Sequence, residues 1–394
     1  MSNLGSLAAH ELLRIFRDSR IRRLFLWPPL VLFILYLALY SPGQFTDLST
    51  IILDQDNSAL SREIVDGFST QSKLKFIGMA ATYKEVEKAV QSGRAQVAVV
   101  IPKDLEQRVS RGKSTEISVI VDGSNLTFAN NALTATSDVI SNISGRLGIS
   151  LLTRQGMMTE KAVRVLSQLD YREHIWYNPT FNYAQFLVFF FFIVTFQQAF
   201  LMGTALSVSY DRADGTWEQA CRESSESLVL AAKMTAYISI GLLQIEIAII
   251  AGKCIGALPV YGSAGLLILV NLMFLLVLAL FAVVVARLAS PINSLRITMF
   301  MALPSMALSG YTWPLSAMHP FIRFLGECLP ITWYADCFRA ITLKGTGWSG
   351  IAAQMGMMLI MLAVLLAANL FIGHSDALSR LVAIKAPEEA DSSC

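Results

Sequence analysis

Five polar side chains stand within predominantly apolar runs: Gln197 and Gln198 within 185–209, Gln244 and Glu246 within 228–251, and Asn271 within 264–289. An ionised group in the middle of such a run costs about 2.5–3.5 kcal/mol to insert in a bilayer, so these groups face a bundle interior or a water-filled cavity. The residue types leave three uses open. They can line or gate a pathway, hydrogen-bond one helix to another, or, for Glu246 near the end of its run, reach the interface or Lys253. A second concentration of polar groups is Ser209-Tyr210-Asp211-Arg212-Ala213-Asp214-Gly215-Thr216-Trp217-Glu218-Gln219. This segment is charged, compatible with helix and tethered between two apolar runs. It can dock a partner and pass a push into both helices; the plainer alternative is a solvated loop.

Other chemistries lack their residues. No Walker loop occurs in the chain, so it cannot hydrolyse ATP by that route. Gly112-Lys113-Ser114 looks like the end of a phosphate-binding loop, but Gln107 stands where the first glycine belongs. Between 41 and 183 the polar residues scatter as turn and helix-face positions, and His174 is the lone histidine there. No catalytic constellation is expected. The five cysteines follow no metal spacing and are too few for a disulfide scaffold. A Cys328–Cys337 bridge suits an oxidising compartment, with two unpaired thiols as the plain alternative. Asn125-Leu126-Thr127 and Asn142-Ile143-Ser144 match a glycosylation acceptor, a pattern short enough to recur by chance. A net charge of +2 without a basic, aromatic-interleaved patch gives no reason to expect nucleic acid.

The elements that must position these groups are membrane spans. Hydrophobic residues make up 54% of the chain and charged residues 15%, with a mean hydropathy of +0.53. A soluble chain carries about a quarter charged residues. The runs 185–209, 228–251, 264–289 and 351–372 are each long enough to cross about 30 Å of hydrocarbon as a helix, and the shorter run 24–40 precedes them. The run 299–313 is shorter and broken by Pro304 and Gly310, and reads as a span that ends early or re-enters. The fold class expected is an α-helical membrane protein of six transmembrane helices, with an inserted α/β extracytoplasmic domain at 41–183, a five-helix bundle at 184–372 and a cytoplasmic tail at 373–394. Arg22-Arg23 before the first run resembles a twin-arginine export signal, but Leu37-Ala38-Leu39-Tyr40-Ser41 makes a poor cleavage site, so an uncleaved span is expected. Arg14, Arg17, Arg20, Arg22 and Arg23 crowd the first segment and predict a cytoplasmic N-terminus. Alternation then puts 210–227 and 287–296 inside, 315–350 outside and the C-terminus inside.

Leu4 to Ser19 carries apolar side chains at Leu4, Ala8, Leu12 and Ile15/Phe16, which predicts an amphipathic helix in the cytoplasmic interface, or else an ordinary charged flank. Pro28-Pro29 sits near the start of the first span, where proline costs a helix least. In the polar domain, strands are expected at 48–53, 74–78, 95–101 and 117–121. Helices are expected at 59–68, after the capping box Thr82–Glu85 to about Gln91, at 104–110, from Asn125 to about Leu152 and at 159–169. Tyr171–Trp176 then leads back to the membrane. Strands alternating with helices imply an α/β domain with an internal sheet. Phenylalanines at 186, 189, 190, 191, 192 and 196 cover every face of their helix and read as lipid contact and packing rather than as a binding box.

Several of these motifs, in order, resemble the ABC-2 type transporter permeases. Arg212, Gly215, Thr216, Trp217, Glu218 and Gln219 match the family's cytoplasmic loop, although Ala220-Cys221-Arg222-Glu223-Ser224 departs from what usually follows. Leu308-Ser309-Gly310-Tyr311-Thr312-Trp313-Pro314, Met318-His319-Pro320, Leu329-Pro330-Ile331-Thr332-Trp333-Tyr334, Arg339-Ala340-Ile341 and Lys344-Gly345 resemble its outer segment between the last two spans. Glu11-Leu12-Leu13 with Arg17-Asp18 resembles its interface helix. Asp54–Ser58, Val99–Leu105 and Val121–Asn125 look like the subgroup with a large extracytoplasmic domain.

The resemblance implies a permease subunit of an exporter in a bacterial inner membrane, multi-pass, with no cofactor of its own. ATP and magnesium would belong to a separate cytoplasmic ATPase subunit docked on 212–219. It implies pairing with a second permease chain, identical or paralogous, and suggests a periplasmic adaptor and membrane lipid as further partners. Re-entrant helices within 309–345 would help close the outer end, with Ser309, Gly310 and Pro314 at the gate. An amphipathic or hydrophobic cargo (lipid, drug or metabolite) suits apolar walls better than an ion. The rivals are an ion-coupled secondary transporter, which predicts repeats and buried ionisable groups, and a receptor, which needs a larger cytoplasmic output domain.

Overall fold

The computed structural model describes residues 3–40, 46–124, 126–166, 176–178 and 182–390. It divides into two compact units, residues 44–175 and the remainder. His174, Asn125, Cys394 and the return segment 171–175 lie outside the described residues.

In the larger unit, α1 spans Leu4–Arg17 and α2 Ser19–Tyr40. After the smaller unit come α8 (Ala184–Ala213), α9 (Thr216–Glu223), α10 (Glu226–Cys254), α11 (Ala264–Leu288), α12 (Pro291–Phe300), α13 (Ala302–Leu308), α14 (Pro320–Glu327), α15 (Pro330–Thr342) and α16 (Ala352–Ala390). Among the described residues, five helices are long and apolar enough to cross a membrane: α2, α8, α10, α11 and the 352–374 part of α16. The sixth crossing expected from the sequence is not one of them. In its place stand two short helices, α12 and α13, which meet at Met301 and begin at Pro291, well before the expected 299. Pro304 lies in the first turn of α13, where its missing N–H leaves no bond unmade.

The first span departs from regular α-helix near its start. Its turn Arg22–Leu26 is π-helical, and Pro28 and Pro29 follow at once. Pro29 has no N–H for the Phe25 carbonyl. Gln244 of α10 donates from Nε2 there at 3.4 Å and to the Leu26 carbonyl at 2.9 Å. Side chains give way where backbones approach: a Cβ on Gly203 of α8 would fall 2.7 Å from Phe25 Cβ.

The phenylalanine run of α8 faces protein more than lipid. Phe189, Phe190, Phe192 and Phe196 are buried, while Phe186 and Phe191 are half-buried and pack on the same core. Phe189 stacks on Phe338 at 3.8 Å and Phe190 on Tyr311 at 4.1 Å. The lipid-contact half of the sequence expectation thus falls away for most of them. By contrast, only 17% of the apolar window of α2 and 17% of that of α16 is buried.

The smaller unit is an α/β layer structure. Strands β1 (Leu48–Asp54), β2 (Leu74–Met79), β3 (Val97–Ile101) and β4 (Ser118–Val121) form one sheet in the order β2-β1-β3-β4. β1 pairs in parallel with β2 and β3, and β4 is antiparallel to β3. Helices are α3 (Ala59–Ser69), α4 (Tyr83–Gln91), α5 (Leu105–Ser110), α6 (Leu126–Arg154) and α7 (Thr159–Leu166). The period of two along β1 and β3 sends Leu48, Ile52, Val97, Val99 and Ile101 to the side of α3, α5 and α6. Ile51, Leu53 and Ala98 go to the side of α4. Thr82 Oγ1 accepts the Glu85 N–H at 3.3 Å, and the Glu85 carboxylate accepts the Ala81 N–H at 2.9 Å. That is the capping box displaced by one residue.

Candidate functional site

Gly215 lets the chain turn sharply between α8 and α9. Its φ of +82° lies in the left-handed region, which a residue with a Cβ enters only at a cost. Asp214 and Thr216 close the turn: the Thr216 N–H donates to Asp214 Oδ1 at 3.1 Å, and the Thr216 hydroxyl also bonds that carboxylate. α9 is short, so packing must hold it. Trp217, 1% exposed, supplies the root by inserting into the bundle core that also holds Val208 and Val229. Thr216, Gln219, Arg222 and Glu223 are exposed, and Arg212 and Glu218 are half-buried. The segment is therefore a helix rooted by one tryptophan and presenting a mixed polar face, rather than a loose loop.

A buried ionic cluster ties this end of the bundle to α1. Lys233 of α10 lies 2.7 Å from Glu11 Oε1 and 2.6 Å from Asp211 Oδ2. Arg14 holds Asp211 with both guanidinium nitrogens, Nη1 at 2.8 Å from Oδ2. Ser207 donates to Glu11 Oε1 at 3.2 Å and accepts from Lys233 at 3.2 Å. Glu11 is 6% exposed, Asp211 3% and Lys233 5%, so two anions and one cation are out of water, and half-buried Arg14 completes the neutralisation from the rim. The Arg14 guanidinium is held well above its ordinary pKa, chiefly by its hydrogen bond to Asp211, against the opposing effect of burial. The face α1 buries is Ala8, Glu11 and Ile15, whereas Leu4, Leu13 and Phe16 stay exposed. Charge, as well as grease, docks this helix.

Sequence reasoning does not single out Lys233, Ser207 or the pairing of Glu11 with Asp211. The available signal is a lone lysine inside 228–251 and an acid–base pair at i,i+3 in α1.

The intramembrane polar residues hold helices together. Gln197 Nε2 donates to Ser305 Oγ at 2.8 Å, and Gln198 Nε2 to the Thr298 carbonyl at 2.8 Å, fastening α8 to both halves of the broken α12–α13 pair. Asn271 donates to Glu246 at 2.8 Å and accepts from the Tyr334 hydroxyl at 2.9 Å, joining α11 to α10 and α15. Gln244 covers the π turn of α2. Helix–helix hydrogen bonding, one of the three readings the sequence leaves open, is what the geometry provides at each of these five residues.

At the other end of the bundle, the Tyr311 hydroxyl donates to the Phe186 carbonyl at 2.5 Å and Arg339 lies over its ring at 4.6 Å. Buried Ser309 accepts the Tyr311 N–H at 3.3 Å. Gly310 has φ +78°, and a Cβ there would fall 2.7 Å from Leu315 Cγ. Pro314 is exposed. Tyr311 is thus the residue that fixes this segment. Cys328 is exposed and Cys337 buried, both free, so the bridge allowed by the sequence is not formed. Among the described residues, no cluster of three or more His, Cys, Asp or Glu could hold a metal ion.

Comparison with known proteins bears on this arrangement. The family described as ABC-2 family transporter protein matches residues 23–371. The chain is similar to the probable multidrug ABC transporter permease YbhR of Escherichia coli, at 23% identity over 86% of this chain and 90% of that protein. It is also similar to the linearmycin resistance permease protein LnrN of Bacillus subtilis, at 21% identity over 94% and 99%. A third relative, the probable multidrug permease YbhS of Escherichia coli, matches at 24% over 66% and 68%. With the family match running from the first span nearly to the end of the last, the chain belongs to the ABC-2 transporter family, as a multi-pass membrane permease subunit whose ATP hydrolysis resides in a separate subunit.

Proposed function

We propose that the chain is the permease half of an exporter for amphipathic or hydrophobic molecules, and that α9 together with α1 receives its ATPase partner. One observation carries this reading: α8, α9 and α10 follow one another across two-residue breaks at 214–215 and 224–225, Trp217 roots α9 in the bundle core, and Lys233, Asp211, Glu11 and Arg14 lock α1 onto α8 and α10. Force applied to the exposed face of α9 therefore moves three helices as a unit instead of being lost in a loop. ATP and magnesium belong to the partner subunit in this reading.

The remaining assignments follow from it. The α9 end is cytoplasmic, in keeping with Arg14, Arg17, Arg20, Arg22 and Arg23 nearby in the chain. Both described termini and the bacterial inner membrane go with that orientation. α12 and α13 together make the sixth crossing, and the α/β unit 44–175 is inserted on the outside, where an adaptor can meet it. The turn at Ser309–Pro314 and helices α14 and α15 form the outer closure. Two permease chains pair, alike or paralogous. A drug-like cargo is supported by relatives whose names speak of multidrug transport and linearmycin resistance.

The test makes exposed residues acidic and touches no buried one. In the double variant Gln219→Glu, Arg222→Glu, the ATPase subunit recovered with the tagged chain falls about tenfold, the effect of about 1.4 kcal/mol, while the thermal midpoint of the chain holds. Undiminished recovery would sink the docking assignment.

A further inference from the structure

A cavity of about 630 Å³ opens between α10, α11 and α16 on the same end of the bundle as α9. Its length is apolar, walled by residues such as Leu280 and Leu366, and its polar groups gather at one end: Glu226, Arg287, Asn369 and His374. That is the shape of an amphiphile, and the polar end restricts which one. Arg287, its side chain 4% exposed, lies 2.7 Å from Glu226 and donates to the Asn369 carbonyl at 3.0 Å. Gly373 makes room for it, since a Cβ there would meet Arg287 Nη1 at 2.5 Å. Asn369, 4% exposed, spends its Nδ2 on the Leu280 carbonyl at 3.1 Å and the Leu365 carbonyl at 2.9 Å.

We infer that this groove is a binding site for a phospholipid whose headgroup carries both a phosphate and a primary ammonium. Glu226 and Arg287 sit side by side with no net charge, so a headgroup of a single sign is attracted by one and repelled by the other. A phosphate next to an ammonium complements both: the phosphate lies toward Arg287 and His374, the ammonium toward Glu226. The Glu226 carboxylate, its side chain 34% exposed at the groove, keeps acceptor sites beyond the one that Arg287 uses and calls for an N–H donor. A primary ammonium offers one and a quaternary ammonium does not. One acyl chain occupies the apolar length. This inference stands apart from the exporter reading, since it needs neither the ATPase nor a transport direction.

The full chain, purified in mild detergent, is placed in nanodiscs holding equal amounts of phosphatidylethanolamine, phosphatidylcholine and phosphatidylglycerol with matched acyl chains. Native mass spectrometry then identifies the lipid retained. Phosphatidylethanolamine is expected about tenfold above the other two, the ratio set by one charge-assisted hydrogen bond. Retention drops about tenfold in Glu226→Gln and in Leu366→Trp, which fills the apolar length. Equal retention of all three lipids would mean ordinary surrounding lipid and overturn the assignment. So would preference for phosphatidylglycerol, parity of phosphatidylcholine with phosphatidylethanolamine, or indifference to Leu366→Trp. If Glu226→Gln lowers the thermal midpoint by stranding Arg287, Leu366→Trp decides alone, because Leu366 is 49% exposed and its replacement does not disturb the core.

Discussion

Lys233 lies 2.7 Å from Glu11, although 222 residues separate them in the chain. The contact joins the first helix to the third membrane-spanning one, and Asp211 joins both to the second. Breaking one member strands a buried charge, which costs about 3–5 kcal/mol, far more than the intact pair contributes. Lys233→Met is therefore expected to destabilise the protein by about that amount. The double variant Glu11→Gln, Lys233→Met leaves Arg14 with Asp211 and should lose much less than the two single losses added. Thermal or denaturant unfolding of the four proteins of this cycle in detergent checks it; additive losses would mean the cluster is not one unit.

Gly203 provides a second prediction. Gly203→Ala puts a methyl 2.7 Å from Phe25 Cβ, on the rigid side of that side chain, and must push α2 away from α8. Overpacking of this kind costs about 1–3 kcal/mol. Gly356→Ala is the control, with nothing within 4 Å of the new methyl. Melting midpoints should fall for the first and hold for the second.

Asp56 makes the α/β unit sensitive to acid. Burial pushes its carboxyl up, but hydrogen bonds from Ser58 and from the backbone of Glu106, Leu105 and Asp104 outweigh that and hold it below the usual aspartate value. The carboxylate accepts the Leu105 N–H at 3.0 Å and the Glu106 N–H at 3.1 Å, capping α5 from a distant loop. Because the folded pKa is the lower one, the stabilisation is complete above the unfolded value near 3.9 and is lost as pH falls through the folded value. Asp56→Asn should cost about 0.5 kcal/mol at neutral pH, at the low end for a cap because the group is largely solvated. It should also flatten the acid limb of the unfolding midpoint plotted against pH. An unchanged acid limb would contradict the cap.

Asn271 links Glu246 to Tyr334 and is 0% exposed. Asn271→Leu keeps the volume and leaves both partners without it, so a loss of about 1–3 kcal/mol is expected. Tyr334→Phe, which removes only the hydroxyl at the far end, should cost less. Equal midpoints for Asn271→Leu and the parent would show that these groups find other partners.

How much of this was legible in the sequence depends on the range of the interaction. The spans and the elements of the α/β unit follow local composition, and the apolar runs, the β-rich stretches and the cap and turn residues predict most of them to within a few residues. The broken pair α12–α13 was foreshadowed by Pro304, yet its start at Pro291 was not, because Pro at a helix start and Pro within a run look alike until the neighbouring turns are known. Gln244 shows why roles stayed open: its partner is a carbonyl freed by Pro29, more than two hundred residues away. The ionic cluster was invisible for the same reason, since Lys233 reads as an isolated cation until the fold brings Glu11 and Asp211 to it.

The central claim is that α9 meets the ATPase. A photo-reactive phenylalanine analogue placed at Gln219, exposed on α9, and another placed at Trp176, 72% exposed, address it directly. Irradiation of cells followed by mass spectrometry identifies what each position touches. The account predicts a covalent adduct with the ATP-hydrolysing subunit from position 219 and none from 176. An adduct from 176, or none from 219 while the ATPase still co-purifies, would contradict it.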